Sequence, residues 1–188
     1  MQIAILLGSA REGRVSDKAA NYIKQRAELL GHQATIADVA KILPADTHEK
    51  ISSDPSWSKT MSEADALIIV SPEYNHGYPG PLKDALDSLG DEGEYTRKPV
   101  VICGTSAGGM GGVRAVEQLR QVCTELSLVV LANAVYFSNH FALWNEDGSI
   151  KDAGYDDRTD TMLAALAWYA QVLKTGRTEV PFPEKKAK

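Results

Sequence analysis

A segment near the start of the chain concentrates groups that bind anions: Gly8-Ser9-Ala10-Arg11-Glu12-Gly13-Arg14-Val15-Ser16. It lies between an apolar run and a helical pattern, so the free backbone N–H groups of a helix start join the side chains. Ser9 and Ser16 offer hydroxyl groups, and Arg11 and Arg14 offer charge-assisted hydrogen bonds. These donors predict a phosphate-binding loop.

Two common nucleotide-binding motifs fail at this loop. A P-loop requires Lys at the position of Arg14 and Ser or Thr at the position of Val15. A dinucleotide-binding fingerprint requires Gly at the position of Ala10. The alternative to a phosphate site is an ordinary polar turn with solvated arginines.

A second loop is dense in side chains that suit a planar ligand: Ser71-Pro72-Glu73-Tyr74-Asn75-His76-Gly77-Tyr78-Pro79-Gly80-Pro81. Its prolines and glycines restrict the backbone path. Tyr74 offers a flat apolar face, and Asn75 can donate and accept hydrogen bonds. The cluster predicts contact with a heteroaromatic ring. Taken singly, His76 can be a solvated loop histidine, and Glu73 can be a surface carboxylate or a helix-cap partner.

A third loop is rich in glycine: Gly104-Thr105-Ser106-Ala107-Gly108-Gly109-Met110-Gly111-Gly112. Glycine lets bare backbone approach a ligand closely, so this loop is interpreted as lying against the edge of a flat molecule. Ser106, Gly108 and Gly109 are the candidate contacts.

The same loop offers a serine hydrolase as an alternative, because Gly104-Thr105-Ser106-Ala107-Gly108 matches the nucleophile elbow G-x-S-x-G. A triad would then use His140 with Glu117 or Glu125 as the acid. An elbow turns directly into a helix, whereas here four more residues precede the apolar periodicity at Val113. The context therefore disfavours the hydrolase.

Strands must position these loops, and apolar runs predict five of them. The runs cover 3–7, 34–37, 66–70, 100–103 and 128–131. Continuous rather than alternating apolarity is typical of strands whose sheet is covered by helices on both faces.

Helical periodicity occupies the segments between the runs. Ser16 is predicted to cap the first helix and Gly31 to end it. The predicted apolar faces are Ala20, Ile23, Ala27 and Leu30; Leu82, Ala85, Leu86 and Leu89 after Pro81; Val113, Val116, Leu119, Cys123 and Leu126; and Met162, Leu166, Tyr169 and Leu173. The weakest segment is 42–63, which Pro44, Asp54 and Pro55 interrupt and where only 57–64 is predicted to be helical.

Alternating strands and helices predict an α/β fold with one doubly wound parallel sheet, formed by a single domain over residues 1–188. Ligands of such sheets bind beyond the carboxyl ends of the strands. All three loops follow predicted strands, so they are expected to converge.

Composition narrows the class of protein. The 188 residues carry a net charge of -5, which works against nucleic acid and membrane surfaces as partners. The only two cysteines, Cys103 and Cys123, indicate no disulfide scaffold and no metal site, and favour a reducing cytoplasm. The first apolar run is too short for a signal peptide or a membrane span.

Three strings of residues, in this order along the chain, resemble the NADPH-dependent FMN reductases, a family that includes quinone, chromate and azo-dye reductases. The strings are Gly8-Ser9-Ala10-Arg11 with Ser16; Pro72-Glu73-Tyr74-Asn75 continuing to Pro79-Gly80-Pro81-Leu82-Lys83-Asp84-Ala85-Leu86-Asp87; and Gly108 to Gly112 with Arg114 and Leu119-Arg120. The chain departs from the usual family pattern at Asp17, where many members have asparagine.

The resemblance implies a flavodoxin-like five-stranded sheet in the order 2-1-3-4-5, non-covalent FMN, and a homodimer or homotetramer. It implies FMN phosphate contacts from Ser9, Arg11 and Ser16, and Arg14 is added because of its charge. It further implies that Pro72, Glu73, Tyr74, Asn75, His76 and Gly77 line the isoalloxazine ring, with Ser106, Gly108 and Gly109 on its other side.

The leading hypothesis for function is an oxidoreductase that passes hydride from NADPH or NADH through FMN to a small-molecule acceptor, such as a quinone, an azo dye or a metal oxyanion. Donor and acceptor would alternate at one site in a ping-pong cycle. No acid, base or nucleophile is assigned as catalytic, because the flavin supplies the chemistry. Besides the hydrolase, a flavodoxin-type electron carrier remains an alternative.

A subunit contact is also predicted. It involves apolar residues in Tyr78–Leu89 and the aromatic residues Phe137, Phe141 and Trp144.

Overall fold

The computed structural model describes residues 1–42, 55–89 and 95–182. Its sheet contains β1 (Gln2–Leu7), β2 (Gln33–Asp38), β3 (Ala66–Pro72), β4 (Pro99–Thr105), β5 (Val129–Val130) and β6 (Tyr136–Phe137). The strands pair in parallel in the order β2-β1-β3-β4-β5, and β6 also pairs with β4. The predicted doubly wound sheet in the order 2-1-3-4-5 is therefore confirmed.

Helices cover both faces of this sheet. They are α1 (Ser16–Leu29), α2 (Val39–Ile42), α3 (Pro55–Glu63), α4 (Gly80–Asp87), α5 (Val113–Glu125) and α6 (Gly154–Glu179). The four-residue α2 was not predicted. Among the described residues, no helix combines the length and the apolarity that a membrane crossing requires. The predicted breaks at Pro44 and Asp54 lie outside the described residues. Pro55 was also predicted as a break but is the first residue of α3, a position that proline tolerates.

The central strands are apolar throughout because each face of the sheet has its own core. Ile3, Ile5 and Leu7 of β1 pack with α1 and α6, whereas Ala4 and Leu6 pack with α3, α4 and α5. Burial of each Ile or Leu side chain stabilises the fold by about 1.5–3 kcal/mol relative to exposure. The absence of polar alternation in these runs thus follows from burial on both faces.

The fifth strand differs from the prediction. Its regular part is only Val129–Val130, which pairs with Pro99 and Val100 at the start of β4. A second short strand, β6, pairs with Gly104 and Thr105 at the end of β4. The outer edge of β4 is therefore shared by two short strands, and the second one brings residues 136–140 beside the third loop.

Three helix predictions were wrong in detail. Leu30, predicted on the apolar face of the first helix, follows the end of α1 and is 44% exposed. Ser16 is the first residue of α1 rather than its cap, because Val15 occupies the N-cap position without a side-chain hydrogen bond. On α6, Tyr169 is 38% exposed rather than part of the core. The predicted end of α1 is confirmed: Gly31 has a φ of +79°, which glycine adopts without a Cβ clash.

Candidate functional site

The strand register brings the three loops to one edge of the sheet. Leu7 at the end of β1 pairs with Val70 of β3, and Pro72 at the end of β3 pairs with Thr105 at the end of β4. Backbone hydrogen bonds tie the loops to these ends, from Gly8 N–H to the Val70 carbonyl (2.9 Å) and from Glu73 N–H to the Thr105 carbonyl (3.1 Å).

The first loop has unsatisfied donors beside buried hydroxyl groups. Among its residues 10–15, all described, only Arg11 uses its backbone N–H within the protein, donating to Ser9 Oγ at 3.3 Å. The Ser16 side chain is buried, and its hydroxyl has no hydrogen-bond partner among the described residues. A buried polar group without a partner is uncommon, so this loop is suited to an anionic ligand.

The two arginines of this loop have different surroundings. Arg11 is exposed, and none of the described residues forms an ion pair with its guanidinium. Arg14 is mostly buried, donates to the Ser9 carbonyl, and pairs with Asp38 Oδ2 at 2.5 Å. Arg14 therefore anchors the loop to the end of β2, and Arg11 is the arginine whose charge is available to a ligand.

The second loop forms a tight two-residue turn. Tyr74 and Gly77 exchange backbone hydrogen bonds of 2.8 and 3.0 Å. The two residues between them, Asn75 and His76, have φ values of +51° and +68°. Positive φ at both central positions is typical of a type I′ turn and is less favourable for histidine than for glycine. The turn exposes Asn75 and His76 beside the partly exposed ring of Tyr74.

Side chains of α5 hold this turn. Glu73 accepts hydrogen bonds from Arg114 Nε (2.6 Å) and from the Arg114 backbone N–H (3.2 Å). Gln118 Nε2 donates to the His76 carbonyl at 3.0 Å. The Glu73 carboxylate thus accepts a backbone hydrogen bond from the first turn of α5, as the interpretation of Glu73 as a helix-cap partner predicts. Burial acts to raise the pKa of Glu73, but the hydrogen bonds and charge of Arg114 outweigh it and hold the pKa below its usual value.

The third loop is bonded to the segment after β6. Ser106 N–H donates to the Phe137 carbonyl (3.1 Å), and His140 N–H donates to the Ser106 carbonyl (3.1 Å). Asn139 N–H donates to the Gly108 carbonyl at 3.0 Å. Residues 137–140 therefore set the position of the loop that contains the candidate contacts Ser106, Gly108 and Gly109.

In the described part of the chain, Ser106, His140, Glu117 and Glu125 do not form a hydrolase triad. Ser106 Oγ donates to the Gly108 carbonyl at 2.8 Å rather than to His140. The carboxylate of Glu117 pairs with Arg120, one turn along α5. The α5 helix begins at Val113, so four residues separate Gly108, the last residue of the G-x-S-x-G match, from the helix. A nucleophile elbow would turn directly into the helix.

The glycines of the third loop divide into two groups. A Cβ on Gly104 would lie 2.2 Å from the Gly111 carbonyl, and one on Gly111 would lie 2.6 Å from Tyr136 Cβ. These glycines are required by the protein's own packing, which corrects the interpretation of the whole run as ligand-facing. Apart from its own residue and the two chain neighbours, a Cβ on Gly108 or Gly109 would meet no atom of the described residues within 4 Å, so these two glycines face open space.

The aromatic residues predicted at a subunit contact are mostly in the core. Phe137 and Trp144 are 0% and 5% exposed, and their rings stack at 6.0 Å. The apolar side chains of α4 are buried as well, with Leu82, Ala85 and Leu86 fully covered. Of the three aromatic residues, only Phe141 is exposed, at 73%.

The supporting roles of Arg114 and Gln118 were not predicted, although Arg114 belongs to the third string that resembles the family. Arg114 and Gln118 lie four positions apart on α5, so both reach the second loop from one helix face. That spacing, directly after a glycine-rich loop, was the available signal. The role of 137–140 had only a weak signal, the short apolar run Val135-Tyr136-Phe137.

A family model described as NADPH-dependent FMN reductase matches residues 1–142. The NAD(P)H-dependent FMN reductase of Saccharomyces cerevisiae is 32% identical over 152 residues, which cover 70% of this chain and 78% of that protein. The quinone reductase of Escherichia coli K12 is 28% identical over 186 residues, 93% of this chain and 97% of that protein.

Solved structures agree on the fold. The flavoenzyme NAD(P)H:(acceptor) oxidoreductase FerB from Paracoccus denitrificans superposes with a TM-score of 0.75 at 23% identity, covering 90% of this chain and 97% of that one. The resemblance drawn from the three loops is confirmed, and the hydrolase and the electron carrier are disfavoured. The chain belongs to the NADPH-dependent FMN reductase family and is an oxidoreductase that uses FMN with NAD(P)H as electron donor.

Proposed function

We propose that this protein passes hydride from NADPH or NADH, by way of FMN held at the three loops, to quinone-like, azo or metal-oxyanion acceptors. One observation carries the proposal: Ser9 Oγ and the Tyr74 hydroxyl lie 2.8 Å apart, so the anion-binding loop and the loop with a flat aromatic face form one continuous surface. A ligand with a phosphate and a planar ring matches that surface.

The first loop supplies the phosphate contacts in this proposal. Arg11 contributes charge-assisted hydrogen bonds, and Ser16 contributes the hydroxyl that has no partner within the described chain. The Ser9 hydroxyl accepts from the Arg11 N–H, and it can donate to the phosphate when the Tyr74 hydroxyl is the donor of their shared bond. The free backbone N–H groups add further donors. Arg14, paired with Asp38, holds the loop in place and contributes indirectly.

The second and third loops supply the ring contacts. Pro72 and Glu73 fix the start of the turn, while Tyr74, Asn75, His76 and Gly77 line the ring. Ser106, Gly108 and Gly109 lie on the other side. The backbone N–H groups of Asn75 and His76 are free of protein partners in the described structure, and preorganised N–H donors stabilise negative charge. When bound, FMN supplies hydride acceptance and release.

The site must also admit the electron donor NAD(P)H and the electron acceptor, one after the other. Asn75, His76, Gly108 and Gly109 are exposed, so the ring-contacting loops are open to small molecules. We propose that one open position serves both NAD(P)H and the acceptor, which produces ping-pong kinetics.

Absorption spectroscopy tests the function directly. We expect the protein to purify yellow, or to become yellow with added FMN, and to bleach when NADPH or NADH is added without oxygen. A quinone should restore the colour, and double-reciprocal plots for donor and quinone should be parallel. Intersecting lines would contradict the shared position, and a colour that persists with both donors would contradict the reductase itself.

We also propose that residues 1–188 form one domain that self-associates into a homodimer or homotetramer in the cytoplasm. Two large apolar side chains near the third loop, Met110 and Phe141, are 59% and 73% exposed, which suits a subunit contact. Cys103 and Cys123 are free thiols, which suits a reducing compartment. Light scattering that reports a monomer at micromolar concentration would contradict the association.

A further inference from the structure

A cavity of about 730 Å³ lies at the opposite end of the sheet from the three loops. It is formed by Arg97, just before β4, by residues of the last two turns of α6, and by Val180, Pro181 and Phe182 after that helix. Because β4 is 7 residues long, the cavity is about 20 Å from Ser106 at the strand's other end. This volume is within the range of small-molecule sites.

Two arginines meet in this cavity without an acidic partner. Arg177 Nη1 donates to the Arg97 carbonyl at 2.8 Å, so the two residues are in direct contact. Neither guanidinium forms an ion pair with any described carboxylate. Burial lowers the pKa of Arg177; the negative charge of Asp65 raises it, and the positive charge of Arg97 lowers it again. Asp65 itself is bonded to Lys174 at 2.8 Å.

Arg97 is held in an unfavourable conformation with an unused donor. Its φ is +58°, a value that is uncommon for residues other than glycine, asparagine and aspartate. Its backbone N–H donates to the Ser127 carbonyl at 2.8 Å, and its Nε is buried without a hydrogen-bond partner among the described residues. Buried donors of a charged group normally have an acceptor, so Arg97 Nε is a candidate donor to a bound ligand.

Much of the remaining cavity wall is apolar. The Arg97 guanidinium lies over the Phe182 ring, 4.2 Å from the ring centroid, and Leu173, Val180 and Pro181 add further apolar surface beside Gly176 and Thr178. Glu179 also lines the cavity, so the described lining residues, with two arginines and one glutamate, carry one net positive charge. One net positive charge beside an apolar wall matches a monoanion with a hydrocarbon body better than a phosphate dianion.

We propose that this cavity is a second ligand site, which binds an organic monocarboxylate with an aromatic or aliphatic body. The carboxylate accepts hydrogen bonds from Arg97 and Arg177, and planar guanidinium groups match its geometry. The hydrocarbon body lies against Leu173, Val180, Pro181 and Phe182. This inference does not depend on the proposed redox function.

Isothermal titration calorimetry with 2-naphthoate tests the site, using protein saturated with FMN so that the flavin position is filled. We expect one 2-naphthoate to bind per chain. The neutral analogue 2-naphthylmethanol has the same ring system without the carboxylate and should bind at least about tenfold more weakly. This comparison needs no substitution.

Variants then locate the site. Arg177→Gln and Arg97→Gly should each weaken 2-naphthoate at least about tenfold, and glycine also suits the positive φ of residue 97. Arg158→Gln is the matched control, because Arg158 also lies over an aromatic ring, 4.4 Å from that of Tyr155, but outside this cavity. It should leave the affinity within about twofold. Thermal midpoints verify that each variant is folded.

Three outcomes would overturn the proposal. They are no binding of 2-naphthoate at millimolar concentration, equal binding of the neutral analogue, and unchanged affinity in both cavity variants. The last outcome would assign the ligand to another surface, such as the open face of the flavin.

Discussion

The hydroxyl groups of Ser9 and Tyr74 lie 2.8 Å apart although the residues are 65 positions apart in the chain. This hydrogen bond joins the loop after β1 to the loop after β3, at the point where the strand order reverses. In doubly wound sheets, ligands bind at this reversal. The bond therefore sets the spacing between the proposed phosphate contacts and the proposed ring contacts.

Tyr74→Phe removes this bond and keeps the aromatic face. A hydrogen bond is worth about 1 kcal/mol, so we expect FMN affinity to fall about fivefold, measured by fluorescence titration of the apoprotein. Tyr78→Phe is the matched control, because the Tyr78 hydroxyl makes no hydrogen bond within the described residues. An equal loss in both variants would contradict a specific role for the Ser9–Tyr74 bond.

Arg11→Ala should weaken FMN about ten- to a hundredfold while riboflavin, which lacks the phosphate, changes little. The reason is the loss of a charge-assisted hydrogen bond worth about 1.5–3 kcal/mol. Dissociation constants for both flavins should be measured at one low salt concentration, because exposed charges are screened within about 10 Å at 0.1 M. Equal weakening of riboflavin would show that Arg11 supports the fold instead.

Two further variants serve as controls for the effect of Arg11→Ala on FMN affinity. Lys18→Ala removes an exposed charge from the first turn of α1 and should have little effect. Asp17→Asn removes a negative charge near the proposed phosphate position and should strengthen FMN binding.

Glu73→Gln should destabilise the protein at neutral pH by about 1–2 kcal/mol. A broken pair that is fully buried costs about 3–5 kcal/mol, but the Arg114 side chain is 46% exposed, so solvent weakens the pairing. Because folding lowers the pKa of Glu73, its contribution is present above the unfolded value of about 4.3 and is lost as pH falls through the folded value.

Urea unfolding as a function of pH measures this effect. The gap in unfolding free energy between wild type and Glu73→Gln should be largest above about pH 5 and should close below about pH 4. Glu117→Gln is the control, because Glu117 pairs with Arg120 but is 60% exposed. Its effect on the unfolding free energy should be small at every pH. A gap that stays constant across this pH range would contradict the role of the Glu73 charge.

Ser106→Ala should leave NAD(P)H–quinone turnover within about tenfold, since one hydrogen bond to the Gly108 carbonyl is lost. A fluorophosphonate should not label the wild-type protein. Stoichiometric labelling of Ser106 would instead support the hydrolase and refute the interpretation of this loop as a flavin contact.

Cys103 and Cys123 should be inert in the folded protein. Burial raises the pKa of each thiol to about 12, so the reactive thiolate is scarce and inaccessible. Ellman's reagent should modify neither residue in buffer and both in urea. Rapid modification of the native protein would contradict this burial.

The order of strands and helices was predictable from sequence because apolar periodicity is a local property. The runs 3–7 and 66–70 are apolar at every position because both faces of their strands are buried. This continuous apolarity is visible in the sequence without knowledge of the neighbouring strands and helices. The three loops of the candidate site were found for the same reason, because each directly follows such a run. The fifth strand was predicted less well, since Val129–Val130 and Tyr136–Phe137 are each too short for a periodic signal.

Tertiary structure decided which charged residues of the site are free. From the sequence, Arg11 and Arg14 are equally good candidates for binding an anion. Strand pairing places Asp38, which lies 24 residues after Arg14, against Arg14 and not against Arg11. Glu73 likewise finds Arg114 at a separation of 41 residues. Such pairs depend on strand order and register, which bring distant segments together. The sequence by itself therefore determined where the three loops lie and which polar groups they carry. The packing of the sheet decided which of their charged side chains are paired with other described residues and which are not.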